Sequence, residues 1–126
     1  MPAIRDARST DLGEIQAIYA HWVDTGLSSF EEIPPDLGEI TKRWQQVVEE
    51  EMPYLVVEGD GGVVGFAYAR NYRSRSGYRY TVENSVYIRS DSLRLGLGRS
   101  LLNALIETCQ SMGYRQMVAI MPEGSV

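Results

Sequence analysis

The chain has 126 residues, of which 44% are hydrophobic and 23% charged, and its formal net charge is −5. This length suits one domain with its own core, and the composition is ordinary for a soluble globular protein. The acidic balance argues against nucleic-acid binding, which needs a basic face. No apolar run approaches the roughly 20 residues of a membrane span, and the N-terminus lacks the apolar core of a signal peptide. We therefore expect no membrane partner and a cytoplasmic location.

The first half of the chain predicts one strand and two helices. Ala3 to Arg5 is a short strand, and Ser9 or Thr10 is placed to cap a helix that ends at His21 and Trp22. A capping-box pattern from Asp36 to Glu39 begins the second helix. Apolar residues at helical spacing predict the buried faces, namely Leu12, Ile15, Ile18, Tyr19 and Trp22 in the first helix and Leu37, Ile40, Trp44, Val47 and Val48 in the second.

The loop between these helices contains one apolar side chain, Phe30, among polar neighbours. Either this phenylalanine fills the core of the domain, or it forms a wall of a substrate pocket. The single histidine, His21, is better explained as an ordinary helix-end residue than as a catalytic base, because nothing nearby would orient its imidazole.

The second half predicts strands at Tyr54 to Glu58 and Val63 to Asn71, joined by a glycine-rich hairpin turn. A basic loop, Tyr72 to Arg79, leads to a further strand, Tyr80 to Ile88, and the last strand is Gln116 to Met121. Together with the helices, these strands indicate a single α/β (α+β) domain over residues 1–126. No repeat, linker or low-complexity segment interrupts it.

A helix follows the Tyr80 to Ile88 strand after a glycine loop, and Gly113 ends it. Its apolar stripe is Leu101, Leu102, Leu105, Ile106, Cys109 and Met112, so the single cysteine is interpreted as a small buried hydrophobe. The chain has no Cys/His cluster, and we expect no metal.

Gly96 and Gly98 stand just before this helix, where unpaired backbone N–H groups and the positive end of the helix dipole can meet phosphate. Arg94 and Arg99 flank the glycines and can add charge-assisted hydrogen bonds. A plain strand-to-helix turn explains such a pair of glycines equally well. The spacing matches neither the phosphate loop of nucleotide hydrolases nor a dinucleotide fingerprint.

A strand followed by x-x-Gly-x-Gly and Arg-Ser-Leu-Leu resembles the acetyl-CoA-binding motif of the GNAT N-acetyltransferase superfamily. The segment from Tyr72 to Tyr87 resembles the phosphinothricin and methionine sulfoximine acetyltransferases within it, and Ile18-Tyr19, Ser29-Phe-Glu31 and Met117-Val-Ala119 extend the match. The resemblance implies a mixed, mostly antiparallel sheet flanked by helices. It also implies acetyl transfer to the amino group of a small amino-acid-like substrate such as phosphinothricin, methionine sulfoximine or methionine sulfone.

The resemblance also implies roles for individual residues. Glu83 would be the catalytic base; the alternative is a solvent-facing glutamate paired with Arg79 or Arg73. Backbone groups of the strand would pair with the pantetheine arm, and the glycine loop would hold the pyrophosphate. The implied acetyl-CoA residues are Val86, Tyr87, Ile88, Arg94, Leu95, Gly96, Leu97, Gly98, Arg99 and Ser100. The implied substrate residues are Phe30, Arg73, Arg75, Ser76, Gly77 and Tyr78.

Two departures from the family pattern bear on activity. Leu93 stands where family members usually place Gln or Arg, and Arg94 can take over that contact from the next position. The family pattern also continues, past the residues seen here, through another helix and two strands. Without these elements the Gln116 to Met121 strand would be a sheet edge, so we expect a homodimer or larger homo-oligomer. The alternatives to an enzyme are a catalytically impaired homologue that binds CoA or only oligomerises, and a regulatory CoA sensor.

Overall fold

The structure is a computed structural model, and it describes residues 3–25, 33–59, 61–71, 81–93, 95–114 and 116–119. Five strands form one sheet in chain order, with β1 to β4 antiparallel to their neighbours and β5 parallel to β4. The strands are β1 (Ala3–Asp6), β2 (Tyr54–Gly59), β3 (Gly62–Asn71), β4 (Thr81–Ile88) and β5 (Gln116–Ala119). The helices are α1 (Leu12–Asp24), α2 (Leu37–Glu49) and α3 (Leu97–Ser111).

The helices cover both faces of the sheet. Because side chains alternate along a strand, Phe66 and Tyr68 of β3 share one face, and they line a cavity with Tyr19 of α1 and Ile40 of α2. α3 packs against β2, β3 and β4 on the other face. The mixed, mostly antiparallel sheet flanked by helices is therefore confirmed.

Burial follows the predicted apolar patterns over most of the chain. The five predicted core residues of α1 are all buried, and so is Cys109 of α3, the single free thiol. Burial raises the pKa of the Cys109 thiol, which favours the neutral form expected of a core hydrophobe. The four consecutive residues 54–57 of β2 are all buried because helices cover both faces of that strand.

Two predicted details of the first helix are wrong. Neither Ser9 nor Thr10 caps α1, because a 3₁₀ turn at Ser9–Asp11 comes first and the helix begins at Leu12. The helix also continues past Trp22 to Asp24. In contrast, the Asp36 cap of α2 is confirmed, since its Oδ1 accepts the Glu39 N–H at 2.8 Å.

The predicted buried stripes are also too wide. Leu37 and Val48 of α2 are each 49% exposed, and Met112 after α3 is 42% exposed. Leu37 is the first residue of α2 and Met112 directly follows α3, so both lie at helix ends. Ile40 and Val47 carry the buried face of α2.

A buried carboxylate joins β1 to the start of α1. Asp11 accepts two hydrogen bonds from the Arg5 guanidinium, at 2.8 and 2.9 Å, and one from the Arg8 backbone N–H at 2.7 Å. Arg5 also pairs with Glu58 of β2. The Arg5 guanidinium holds the pKa of Asp11 below its ordinary value of 3.8.

We expect Asp11→Asn to lower the free energy of unfolding by about 1–3 kcal/mol at pH 7, because it removes a buried charge-assisted contact. A lowered folded-state pKa means that the ionised carboxylate stabilises the fold above about pH 4, and that this contribution disappears as the pH falls through the folded value. Urea unfolding at pH 7 and below pH 4 measures the difference, which should shrink at the lower pH.

Glu39→Gln is the matched control. Its partner Arg43 lies four residues along the same helix, and both side chains are about 40% exposed. An exposed pair of this kind contributes less than about 0.5 kcal/mol. Equal losses in the two variants would show that burial of Asp11 adds nothing to its ion pair.

Candidate active site

The start of α3 leaves backbone donors open. Gly96 is the N-cap residue with φ +76° and ψ 8°, a left-handed conformation that favours glycine. The first intrahelical bond is made by the Ser100 N–H, which donates to the Gly96 carbonyl at 3.0 Å. Leu97, Gly98 and Arg99 therefore have N–H groups without acceptors in the helix, and no side-chain cap takes one of them.

Neither the backbone conformation nor crowding by other atoms requires a glycine at position 98. A Cβ added there would meet only Ile88 Cγ1, at 3.8 Å, which is an ordinary contact. What the missing side chain does provide is an uncovered backbone at the positive end of a helix, where anions bind best. The loop therefore fits a phosphate group held by main-chain amides.

The side chains around this loop divide into inward and outward groups. Leu97 packs against the core, whereas Arg99 is exposed and Leu95 is 69% exposed. Ser100 is half-buried, and its hydroxyl donates back to the Gly96 carbonyl at 3.1 Å. Of these side chains, Arg99 supplies the charge that an anion at the loop would meet.

Strand β4 has one edge that is only partly paired. Within the described residues, β5 pairs with Thr81–Asn84 and not with the four residues that follow. On the other edge β3 pairs with β4 from Val82 to Ile88. Because backbone groups alternate in direction along an antiparallel strand, and the Arg89 N–H donates to Val64 of β3, the peptide groups of Val86 point away from β3. An extended ligand can pair with them as an added strand would.

Sequence reasoning missed a contact at the end of this edge. The indole Nε1 of Trp22, on α1, donates to the Ile88 carbonyl at 2.9 Å in a buried setting. These two residues are 66 positions apart. No local pattern signals such a bond, since Trp22 fits the apolar stripe of its helix regardless of where its N–H points.

Glu83 lies half-buried on β4, directly across from Arg70 of β3. Arg70 is already paired, since its guanidinium contacts Glu50 at 2.6 and 3.3 Å. Within the described part of the chain, no cation forms an ion pair with Glu83.

The face of the sheet that carries Glu83 is aromatic. Tyr87 shares this face, and its ring lies 5.3 Å from that of Phe66 and 5.1 Å from that of Tyr19, measured between centroids. Tyr54 stacks on Tyr68 at 4.9 Å. A cavity of about 60 Å³ opens here beneath α1 and α2. It is lined by Tyr19, Ile40, Arg43, Val47, Tyr54, Phe66, Tyr68 and Arg70.

Several predicted site residues lie outside the described residues, namely Phe30, Arg73, Arg75, Ser76, Gly77, Tyr78 and Arg94. The structure brings together the others, on β4 and at the start of α3. Within the described ranges, no group of three or more His, Cys, Asp or Glu side chains is arranged to hold a metal ion. None of the described helices is long and apolar enough to cross a membrane.

Comparison with known proteins places the chain in a family. The model of the acetyltransferase (GNAT) family matches residues 15–124. The chain is 50% identical over 116 residues to the phosphinothricin N-acetyltransferase of Alcaligenes faecalis, covering 92% of this chain and 59% of that protein. It is 38% identical over 124 residues to the L-methionine sulfoximine/L-methionine sulfone acetyltransferase of Pseudomonas paraeruginosa, covering 98% and 72%.

Among solved structures, the phosphinothricin acetyltransferase from Sinorhizobium meliloti in complex with AcCoA superimposes with a TM-score of 0.91 at 36% identity. The match covers 96% of this chain and 66% of that one. The chain thus spans about six tenths of the length of the Alcaligenes relative and two thirds of the Sinorhizobium protein. The family match extends over most of the sequence, and the chain belongs to the GNAT acetyltransferase family.

Proposed function

We propose that this protein is an acetyl-CoA-dependent N-acetyltransferase that acts on the amino group of a small amino-acid-like substrate. Phosphinothricin, methionine sulfoximine and methionine sulfone are the candidate substrates, because the relatives described above are named for them. The observation that carries the proposal is the placement of three features along one strand and the helix that follows it. These are the uncovered amides at Gly98, the partly paired edge of β4, and the carboxylate of Glu83.

The described residues suit two parts of acetyl-CoA, its pyrophosphate and its pantetheine arm. Open N–H groups at Leu97, Gly98 and Arg99 would donate hydrogen bonds to the pyrophosphate, with the Arg99 side chain adding charge. Val86 would pair with the pantetheine arm through its backbone. When bound, acetyl-CoA supplies an activated acyl group. Anchoring both parts of the cofactor would convert an encounter between two molecules into a positioned reaction, which lowers the barrier by several kcal/mol.

Glu83 would take the proton from the substrate ammonium, directly or through one water. The amine must lose that proton before its nitrogen can attack the acyl carbon. The Glu50 to Arg70 pair supports this role, because it engages the cation that faces Glu83 across the sheet. A carboxylate bound by arginine would be a weaker proton acceptor.

We assign substrate recognition to residues of two segments for which the sequence predicts loops. Arg73 and Arg75 would bind the carboxylate or phosphinate of the substrate through charge-assisted hydrogen bonds. Phe30, Ser76, Gly77 and Tyr78 would complete the pocket. The cytoplasmic location and the homo-oligomer stay predictions.

The deciding experiment combines calorimetry with thiol release. We expect heat of binding with acetyl-CoA, and release of CoA thiol when methionine sulfoximine or phosphinothricin is added. Glu83→Gln should lower kcat by about a hundredfold at pH 7, as loss of a general base does, while the Kd of acetyl-CoA stays nearly unchanged. Binding without turnover would favour an impaired homologue or a CoA sensor. A parallel loss of binding and turnover in Glu83→Gln would make Glu83 structural.

Glu50→Gln tests the charge arrangement beside Glu83. This substitution leaves Arg70 without its carboxylate, so we expect the guanidinium to pair with Glu83, its cross-strand neighbour. Turnover should fall severalfold, although Glu50 lies at the end of α2 and has no proposed part in binding or catalysis. In a Glu50→Gln, Arg70→Gln double variant the rate should recover, because the competing cation is gone. No change in the single variant would mean that Arg70 does not reach Glu83.

Gly98→Ala separates cofactor binding from stability. Alanine is about 0.5–1 kcal/mol more favourable than glycine in a helix, and the added Cβ meets no close atom. We therefore expect an unchanged or higher Tm together with a roughly tenfold weaker affinity for acetyl-CoA, the equivalent of about 1.4 kcal/mol. Calorimetry and thermal unfolding measure both quantities.

Gly13→Ala is the matched control, because Gly13 lies in α1 and a Cβ there meets nothing within 4 Å. This variant should gain similar stability and keep the wild-type affinity for acetyl-CoA. Wild-type affinity in Gly98→Ala would show that the backbone at Gly98 does not contact the cofactor.

A further inference from the structure

The last peptide group of β4 is held from both sides. Its carbonyl, from Ile88, accepts the indole N–H of Trp22 at 2.9 Å, and its N–H, from Arg89, donates to the Val64 carbonyl at 2.8 Å. Two hydrogen bonds in opposite directions fix the plane of a peptide group, since the group itself is rigid. The orientation in which the chain leaves the sheet toward Gly96 is therefore set here.

The Trp22 indole lies on the side of β4 that faces away from β3. The Ile88 carbonyl points to that side, as the backbone groups of Val86 do, because the direction repeats every second residue. Trp22 is only 8% exposed, so its hydrogen bond is shielded from water. A carbonyl left there without a donor would not readily be compensated by solvent.

Ile88 also connects the strand to the start of α3. Gly65 of β3 leaves room for its side chain, since a Cβ at Gly65 would approach Ile88 Cδ1 to 2.6 Å. The same side chain lies beside Gly98, where an added Cβ would meet Ile88 Cγ1 at 3.8 Å. A tilt of this residue would thus move the strand edge relative to the open amides of the helix.

We propose that Trp22 is a positioning residue for acetyl-CoA, a role that rests on the function proposed above. Its indole N–H holds the Ile88 carbonyl and thereby keeps the Val86 edge of β4 in line with the amides at Gly98. The residue touches neither the acyl group nor the amine. Its loss should weaken the fit of the cofactor and leave the amine site intact.

The second tryptophan provides a matched comparison. Trp44 of α2 also packs against the core, but its buried indole N–H has no hydrogen-bond partner among the described residues. Replacing either tryptophan with phenylalanine removes an indole N–H and keeps an aromatic ring. Only at Trp22 does the change release a carbonyl of β4.

We expect Trp22→Phe to raise the KM of acetyl-CoA about fivefold to tenfold, the weakening that follows from loss of one buried hydrogen bond at a binding surface. The KM of the amine and kcat should stay within about twofold, because Glu83 and the substrate loops are unchanged. Trp44→Phe should match the wild type in all three. Val56→Ala, a core change in β2, controls for destabilisation and should leave the KM of acetyl-CoA unaltered.

Tryptophan fluorescence tests the same role even if the Trp22→Phe variant does not fold. The chain has two tryptophans, so in Trp44→Phe the emission comes from Trp22 alone, and acetyl-CoA should change it. An unchanged emission at saturating acetyl-CoA would overturn the proposal, as would a Trp22→Phe enzyme whose two KM values rise together or stay at wild-type levels. Failure of the wild type itself to bind acetyl-CoA would instead overturn the proposed function.

Discussion

The arrangement of this domain depends on how the backbone of β4 divides its hydrogen bonds between two edges. The edge toward β3 is paired from Val82 to Ile88, which fixes the strand in the sheet. On the other edge, β5 pairs with Thr81–Asn84 within the described residues. In the described part of the chain, β5 does not pair with β4 beyond Asn84. A strand edge with open amides is preorganised for an extended ligand, because the conformational entropy of the strand was already lost when the chain folded.

The same principle applies at the start of α3, where an acidic chain presents main-chain donors. The net charge is −5, yet the donors at Leu97, Gly98 and Arg99 are peptide groups whose polarity does not depend on that total. The helix dipole adds partial positive charge within the first turn, where it is least screened. Glycine at 96 permits the turn, and glycine at 98 leaves the backbone uncovered. The overall charge of a protein is therefore a poor guide to a site built from main-chain amides.

Local patterns predicted much of this, and the failures have a common cause. Alternating apolar residues, the Asp36 cap and the two glycines before α3 are properties of neighbouring residues, so the elements and the loop were predicted correctly. The Trp22 to Ile88 bond and the Glu50 to Arg70 pair join residues 66 and 20 positions apart, and they exist only once the sheet register is set. The predicted burial of Leu37 and Val48 is wrong for a related reason. Periodicity shows which face of a helix is apolar, but not how far the surface that covers this face extends.

Register also determines which charged side chains surround Glu83. Pairing of β3 with β4 puts Arg70 directly across from it, and a cross-strand pair of opposite charges would ordinarily form an ion pair. Glu50, at the end of α2, prevents this by binding the same guanidinium through both of its oxygens. Glu50 thus occupies the cation, while Glu83 lies half-buried on the face that also carries Tyr87. Of these two carboxylates, only that of Glu50 forms an ion pair with Arg70 within the described residues.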